Sequence, residues 1–194
     1  MRKSLPLLVL VPLLTACEDI SVPFVAPLEI PMEGVSDQGV DGLYRLNAAS
    51  EAMTLDDLRD QMPAMYQDVQ DFTVTSLILS DPGSGDELID PEYDELIDPE
   101  YDELSDFAVN AAIYISLDEV LDEGDSLLAW VDAFENDEAH YEAEVTDQAQ
   151  LSQHDDGAFH VIVTATFNSE PPENLNLPLL ISGNGTVKAS DVLR

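Results

Sequence analysis

The sequence predicts a mainly β protein, in particular an antiparallel β-sandwich with one short helix and a long acidic loop. Several segments alternate apolar and polar residues with a period of two, and clusters of turn-forming residues separate them. Only one segment has helical spacing, and strands and helices do not alternate along the chain as they would in a parallel sheet. The chain has 194 residues, of which 45% are hydrophobic, so it can bury a real core.

The N-terminal part, over residues 18–47, is expected to be extended. Pro23, Pro27 and Pro31 each lack a backbone N–H, which is typical of an edge strand or of a tether leading away from a membrane. We therefore assign residues 17–50 to a proline-rich tether or edge strand, and residues 51–194 to the sandwich domain.

A short helix is predicted after this segment. Thr54 and Asp57 form a capping box in which Asp57 takes the usual place of Glu or Gln. Leu55, Leu58 and Met62 follow at helical spacing, and the proline after Met62 is expected to end the helix.

The remaining elements are predicted to be strands. In the first of them, Phe72, Val74, Ser76 and Ile78 are expected on one face and the residues between them on the other. Ala158 to Phe167 is the clearest strand, in which every second residue from Phe159 to Phe167 is apolar and faces one way. Further strands are predicted at 107–116, 127–134 and 140–145, with a last strand or pair of strands over 175–189 in which Asn184-Gly185 indicates a tight turn.

An acidic repeat lies between the first two of these strands. The unit DELIDPEY occurs twice from residue 86, and the loop 81–106 contains twelve acidic residues and no Lys, Arg or His. Like charges and prolines favour an extended, solvated loop, which we interpret as a duplicated insert in a hairpin.

Calcium binding is the alternative function of this repeat, since carboxylate oxygens are the ligands that Ca²⁺ prefers. An EF-hand register counted from Asp81 fails, because Gly83 and Gly85 stand where ligands are needed and Asp86 where Gly is expected. The weak candidate ligands for a less regular site are Asp81, Asp86, Asp90, Glu92, Asp94, Asp98 and Glu100.

The first sixteen residues have the form of a signal peptide. Two basic residues precede a short apolar run, which then ends in Leu14-Thr15-Ala16-Cys17. These four residues resemble the lipobox of bacterial lipoproteins. The resemblance implies cleavage after residue 16, acyl chains such as palmitate on Cys17, and a membrane anchor rather than a spanning helix. Cys17 is the only cysteine, so the chain forms no internal disulfide.

The same resemblance bears on location. Some lipoproteins carry Asp directly after the lipidated Cys as a signal for retention in the inner membrane, and this chain has Glu18 there. Delivery to the outer membrane is therefore expected. Residues 54–189 also loosely resemble uncharacterised envelope lipoproteins of deltaproteobacteria, through the strand that begins at Thr73 (TVTSLIL) and the Pro171-Pro172 loop after a late strand.

The charge of the chain limits its partners. It has 41 acidic and 6 basic residues, a formal net charge of −35, which excludes nucleic acid because phosphate binding needs a basic surface. Adaptation to high salt, as in a halophilic bacterium, is the favoured explanation, and divalent-cation binding and simple solubility are the others.

No catalytic motif stands out. His140, His154 and His160 lack the spacing of a zinc site, and with so many carboxylates no acid–base pair can be singled out. We therefore expect a non-enzymatic, lipid-anchored envelope protein without a cofactor, which binds an envelope protein or has a structural role. The alternative is a Ca²⁺-dependent surface binding or adhesion module.

Overall fold

The structure is a computed structural model that describes most of the chain between residues 19 and 188. The described residues are 19–32, 37–39, 41–60, 62–63, 66, 68–81, 104–134, 139–146, 149–151, 157–171 and 175–188. Cys17, His154 and the acidic repeat from residue 82 to residue 103 lie outside them.

Nine strands and two short helices are found within these ranges. The helices are α1 (Leu55–Asp60) and α2 (Leu104–Phe107). The strands are β1 (Asp19–Met32), β2 (Asp37–Gln38), β3 (Tyr44–Ala49), β4 (Gln70–Ser80), β5 (Ala108–Ser116), β6 (Ser126–Val131), β7 (His140–Val145), β8 (His160–Phe167) and β9 (Leu175–Lys188).

The strands form one antiparallel sheet in the order β1-β9-β4-β7-β6-β5-β8-β3-β2. The prediction of a mainly β, antiparallel fold is confirmed. Whereas the sequence predicts the two sheets of a sandwich, here β7 links both halves: its first residues pair with β4 and its last two, Glu144 and Val145, pair with β6. The sheet curls, so that β1 also contacts β3.

The core fills the inside of this curl. The side chains predicted to share one face of β8, from Phe159 to Phe167, are all buried, because alternate residues of a strand point to the same side of the sheet. Phe107 stacks on Phe167 with ring centres 5.9 Å apart, and Phe24 of β1 meets Phe72 edge-on at 5.5 Å. Buried residues from both ends of the sheet belong to one continuous core.

The face assignment predicted for β4 is wrong in its second half. Phe72 and Val74 are buried as expected, but Leu77 and Leu79 are buried as well, while Ile78 is only half-buried. The register with β9 shifts between Val74 and Ser76. Such a bulge adds one residue to the strand and exchanges the faces beyond it, so both apolar sets reach the core.

The turn predicted at Asn184-Gly185 is also wrong, because β9 is one strand of 14 residues. Its glycines provide space rather than a turn. A Cβ atom on Gly183 would lie 2.1 Å from the Thr73 carbonyl oxygen and 2.7 Å from the Phe24 ring. Glycine is therefore required there by the close approach of β4 and of an aromatic ring.

The connection that contains the acidic repeat is not a hairpin, contrary to our interpretation. β4 and β5 are not neighbours, since β7 and β6 lie between them in the sheet. At its base, the backbone N–H of Leu104 donates a hydrogen bond of 2.8 Å to Asp81 Oδ1, and the N–H of Asp81 donates to the Ala139 carbonyl at 3.0 Å. The two ends of the repeat are thus held together and fixed to the start of β7.

Helix α1 begins with the predicted capping box. The Thr54 N–H and hydroxyl donate to Asp57 Oδ2 at 2.6 and 2.7 Å, and the Asp57 N–H donates to Thr54 Oγ1 at 3.2 Å. Leu55, Leu58 and Met62 are buried, as their spacing predicts. This cap fixes the chain between β3 and β4.

Substitution of Gly183 tests the close packing of β9. Gly183→Ala should lower the free energy of unfolding by roughly 1–3 kcal/mol, the usual effect of overpacking, because the new methyl group collides with backbone. Chemical denaturation measures the change. Gly124→Ala is the matched control, since a Cβ atom there meets nothing within 4 Å, and it should not destabilise the protein. Equal stability of the two variants would contradict the packing described for Gly183.

Candidate binding groove

An open groove lies where the second half of β1 meets the chain between β3 and α1 and the start of β9. Its volume is about 750 Å³, within the range of roughly 300–1,000 Å³ that ligand pockets occupy. Apolar residues provide much of its wall, namely Pro27, Leu28, Pro31, Ala52, Met53 and Leu175. We refer to this feature as the β1 groove.

The prolines of β1 determine which backbone hydrogen-bonding groups lie along this wall. All 14 residues of β1 are in register with β9, and Pro27 and Pro31 belong to the exposed set of alternate residues. In an antiparallel ladder the N–H and C=O of one residue point to the same side, so a proline within the ladder must point away from its partner strand. The carbonyl oxygens of Pro27, Glu29 and Pro31 therefore lie on the side away from β9, where Glu29 is the one residue of the three that also has an N–H.

Three acidic side chains line the groove: Glu29, Glu51 and Asp57. All three residues are exposed. Glu29 Oε2 accepts a hydrogen bond from Asn176 Nδ2, which joins the β1 wall to the β9 wall. Among the described lining residues none is basic, so every charged side chain that lines the groove is negative.

Hydrogen bonds lower the pKa of Asp57. The largest contribution comes from the Thr54 side chain and the next from the Thr54 backbone N–H, since both donate to the ionised carboxylate and stabilise it. The cap of α1 therefore also stabilises the charged form of one groove carboxylate.

The groove wall at Ser50 is fixed by the buried end of β8. The Val161 N–H donates to Ser50 Oγ at 3.0 Å, and Ser50 Oγ donates to the Glu51 carbonyl at 2.7 Å. His160 Nδ1 lies 2.9 Å from the Ser50 carbonyl oxygen, which can only accept, so this ring nitrogen carries a proton. These bonds hold the backbone that carries Glu51.

The arginines that the structure describes form local contacts away from the groove lining. Arg45 pairs with Asp41 at 2.6 Å, which lowers the pKa of Asp41 and raises that of Arg45. Arg59 donates to Asp56 at 2.6 Å and to the Val69 carbonyl at 3.0 Å. Both guanidinium groups therefore bind hydrogen-bond acceptors of nearby residues.

Most of the site residues expected from the sequence lie outside the described ranges. These are Cys17, Asp86, Asp90, Glu92, Asp94, Asp98 and Glu100, and His154, which the sequence did not favour as a zinc ligand, also lies outside them. Asp81 is described, and it binds Leu104 at the base of the repeat. His140 and His160 are held separately, because His140 Nδ1 lies 2.9 Å from Ser80 Oγ in the β4–β7 pair.

Among the residues that the structure describes, no group of three or more His, Cys, Asp or Glu side chains could hold a metal ion. The β1 groove was not predicted from the sequence, because its walls come from three segments far apart in the chain. The one signal that could have pointed to it is the proline spacing of β1, because prolines at this spacing indicate an edge strand.

Comparison with known proteins identifies no relative. No family model matches the chain, and no curated protein and no solved structure is significantly similar to it. Within the described ranges, every helix is too short or too polar to cross a membrane.

The capping box should make stability depend on pH in a defined direction. Because the pKa of Asp57 is lowered in the folded protein, its stabilising contribution is present above the pKa of the unfolded chain and is lost as the pH falls through the folded value. Asp57→Asn should therefore lower the melting temperature at neutral pH, and the difference from wild type should shrink towards pH about 2.

Asp60→Asn is the matched control, because it removes the same charge from the last residue of α1, outside the capping box. Thermal melts followed by circular dichroism measure both variants. An Asp57 variant as stable as wild type at neutral pH would show that the cap contributes nothing.

Proposed function

We propose that this protein is a lipid-anchored envelope lipoprotein whose β domain is non-catalytic and binds a partner in the β1 groove. The observation that carries the proposal is the groove itself, a ligand-sized concavity beside an edge strand. Edge strands leave one side of their backbone without a ladder, and such sides are recurrent sites of peptide recognition.

The anchor is proposed to be Cys17, on the strength of its lipobox. Each buried methylene of an acyl chain contributes about 0.8 kcal/mol to membrane affinity, and two chains or more give stable attachment. β1 begins at Asp19, two residues after Cys17, and enters the sheet at once. An anchor at Cys17 would hold the domain close to the lipid surface, and we place it at the outer membrane because Glu18 follows Cys17.

Calcium binding by the acidic repeat is a second candidate. It is favoured by the contact at the base of the loop, where Leu104 and Asp81 hold the two ends of the repeat together as a binding loop requires. The same contact occupies Asp81 Oδ1, which weakens Asp81 as a ligand. We therefore rank calcium binding below the binding of a partner in the β1 groove.

Replacement of Cys17 tests the anchor. Wild-type protein should incorporate a palmitate analogue during metabolic labelling and should remain with the membrane fraction. Cys17→Ala should lose both, because no other cysteine can take the acyl chains. Ser4→Ala, a small change within the same leader, is the control and should label like wild type. Equal labelling of the Cys17 variant would remove the basis for the anchor.

Deletion of residues 86–101 tests the calcium candidate. Calorimetry with Ca²⁺ in moderate salt should give the same weak heats for the full chain and for the deletion variant, since the repeat lacks the residue spacing of a defined Ca²⁺ loop. Micromolar binding that disappears with the repeat would reverse our ranking of the two candidates.

A further inference from the structure

We infer that the occupant of the β1 groove is an extended, lysine- or arginine-bearing segment of a partner protein. This inference names the partner of the groove and so rests on the proposed binding function, although it is independent of the anchor at Cys17. Backbone chemistry, side-chain charge and the shape of the lining each point to this occupant.

The backbone of the β1 wall offers acceptors. Pro27, Glu29 and Pro31 line the groove with three carbonyl oxygens on the side away from β9, but only Glu29 has an N–H there, so acceptors outnumber donors. A ligand that contacts this wall gains most from groups that donate hydrogen bonds and accept none. Among the side chains with that property, the ammonium group of Lys and the guanidinium group of Arg also carry a positive charge, unlike the indole N–H of Trp.

The side chains of the groove select the same chemistry. Glu29, Glu51 and Asp57 are exposed carboxylates, and Asp57 is held in place by two hydrogen bonds from Thr54. Hydrogen bonds between a charged donor and a carboxylate are roughly twice as strong as neutral ones. Arg45 and Arg59 are engaged with Asp41 and Asp56, so these intramolecular cations are already bound elsewhere.

The apolar part of the lining favours a peptide over a small free cation. Leu28, Met53 and Leu175 lie among the carboxylates, and Lys and Arg bury their methylene stems on such surfaces while the charged end reaches an acceptor. The wall is a strand from Pro27 to Pro31, along which an extended segment can lie with alternate side chains on the groove.

Binding can be measured with the full chain purified in detergent. The probe is a fluorescent peptide of alternating lysine and valine, and its anisotropy is followed as protein is added at several NaCl concentrations. The same peptide with acetylated lysines keeps the length and the backbone but lacks the charge, and it should not bind.

Two pairs of variants separate the groove from the overall negative charge. Glu29→Gln with Glu51→Gln should weaken binding at least about fivefold, because two close charge contacts are lost. Glu142→Gln with Glu144→Gln removes the same charge from the exposed face of β7 and should change affinity by less than about twofold. Ala52→Trp should block the groove without a charge change, while Ala133→Trp, at another exposed alanine, should not.

Equal weakening by the two charge pairs, or unchanged binding in Ala52→Trp, would overturn the inference, since binding would then reflect the diffuse charge of the protein. Displacement of the peptide by spermine at a similar concentration would also overturn it in favour of a small cation. Thermal melts of every variant identify any loss of folding. The Cys17→Ala protein, which should carry no acyl chain, should still bind the peptide, because it lacks only the anchor and keeps the groove.

Discussion

The antiparallel ladder between β1 and β9 is the contact on which the other features of the molecule depend. It covers one end of the core with Val22, Phe24 and Ile30, which are buried. It also orients the prolines of β1 outward and brings Glu29 next to Asn176. Because Phe24 fits only against a residue without a Cβ atom, Gly183 determines how closely β1, β9 and β4 can pack. Loss of this ladder would remove a wall of the groove together with part of the core.

The acidic surface has different consequences at long and at short range. At a physiological ionic strength the Debye length is about 8 Å, and it falls to about 3 Å in molar salt. The overall charge of the chain therefore attracts cations from a distance only in dilute salt. Contacts inside the groove act at hydrogen-bond distance and are screened much less. In a salty environment, selectivity would come from the arrangement of Glu29, Glu51 and Asp57 and not from the net charge.

Local patterns in the sequence predicted the elements whose structure depends on near neighbours. The capping box at Thr54 and the alternation from Phe159 to Phe167 are of this kind, and both are confirmed. Prediction failed where a distant strand decides the outcome. The bulge after Val74 arises in the pairing of β4 with β9. Gly185 is typical of a turn in the sequence, but in the structure it leaves room for Val69, whose side chain would lie 2.1 Å from a Cβ atom at that position. The groove could not be foreseen for the same reason.

The position of β1 also determines how the domain would respond to a mechanical load. With an anchor at Cys17, a pull from a partner seated near Pro27 and Pro31 would run along the axis of β1. The ladder with β9 would then be loaded in shear, so all of its hydrogen bonds would resist together instead of opening one after another from an end. Because the groove walls also include Leu175 and Asn176 of β9, the force would pass from β1 to β9 through this ladder before it reaches the rest of the sheet.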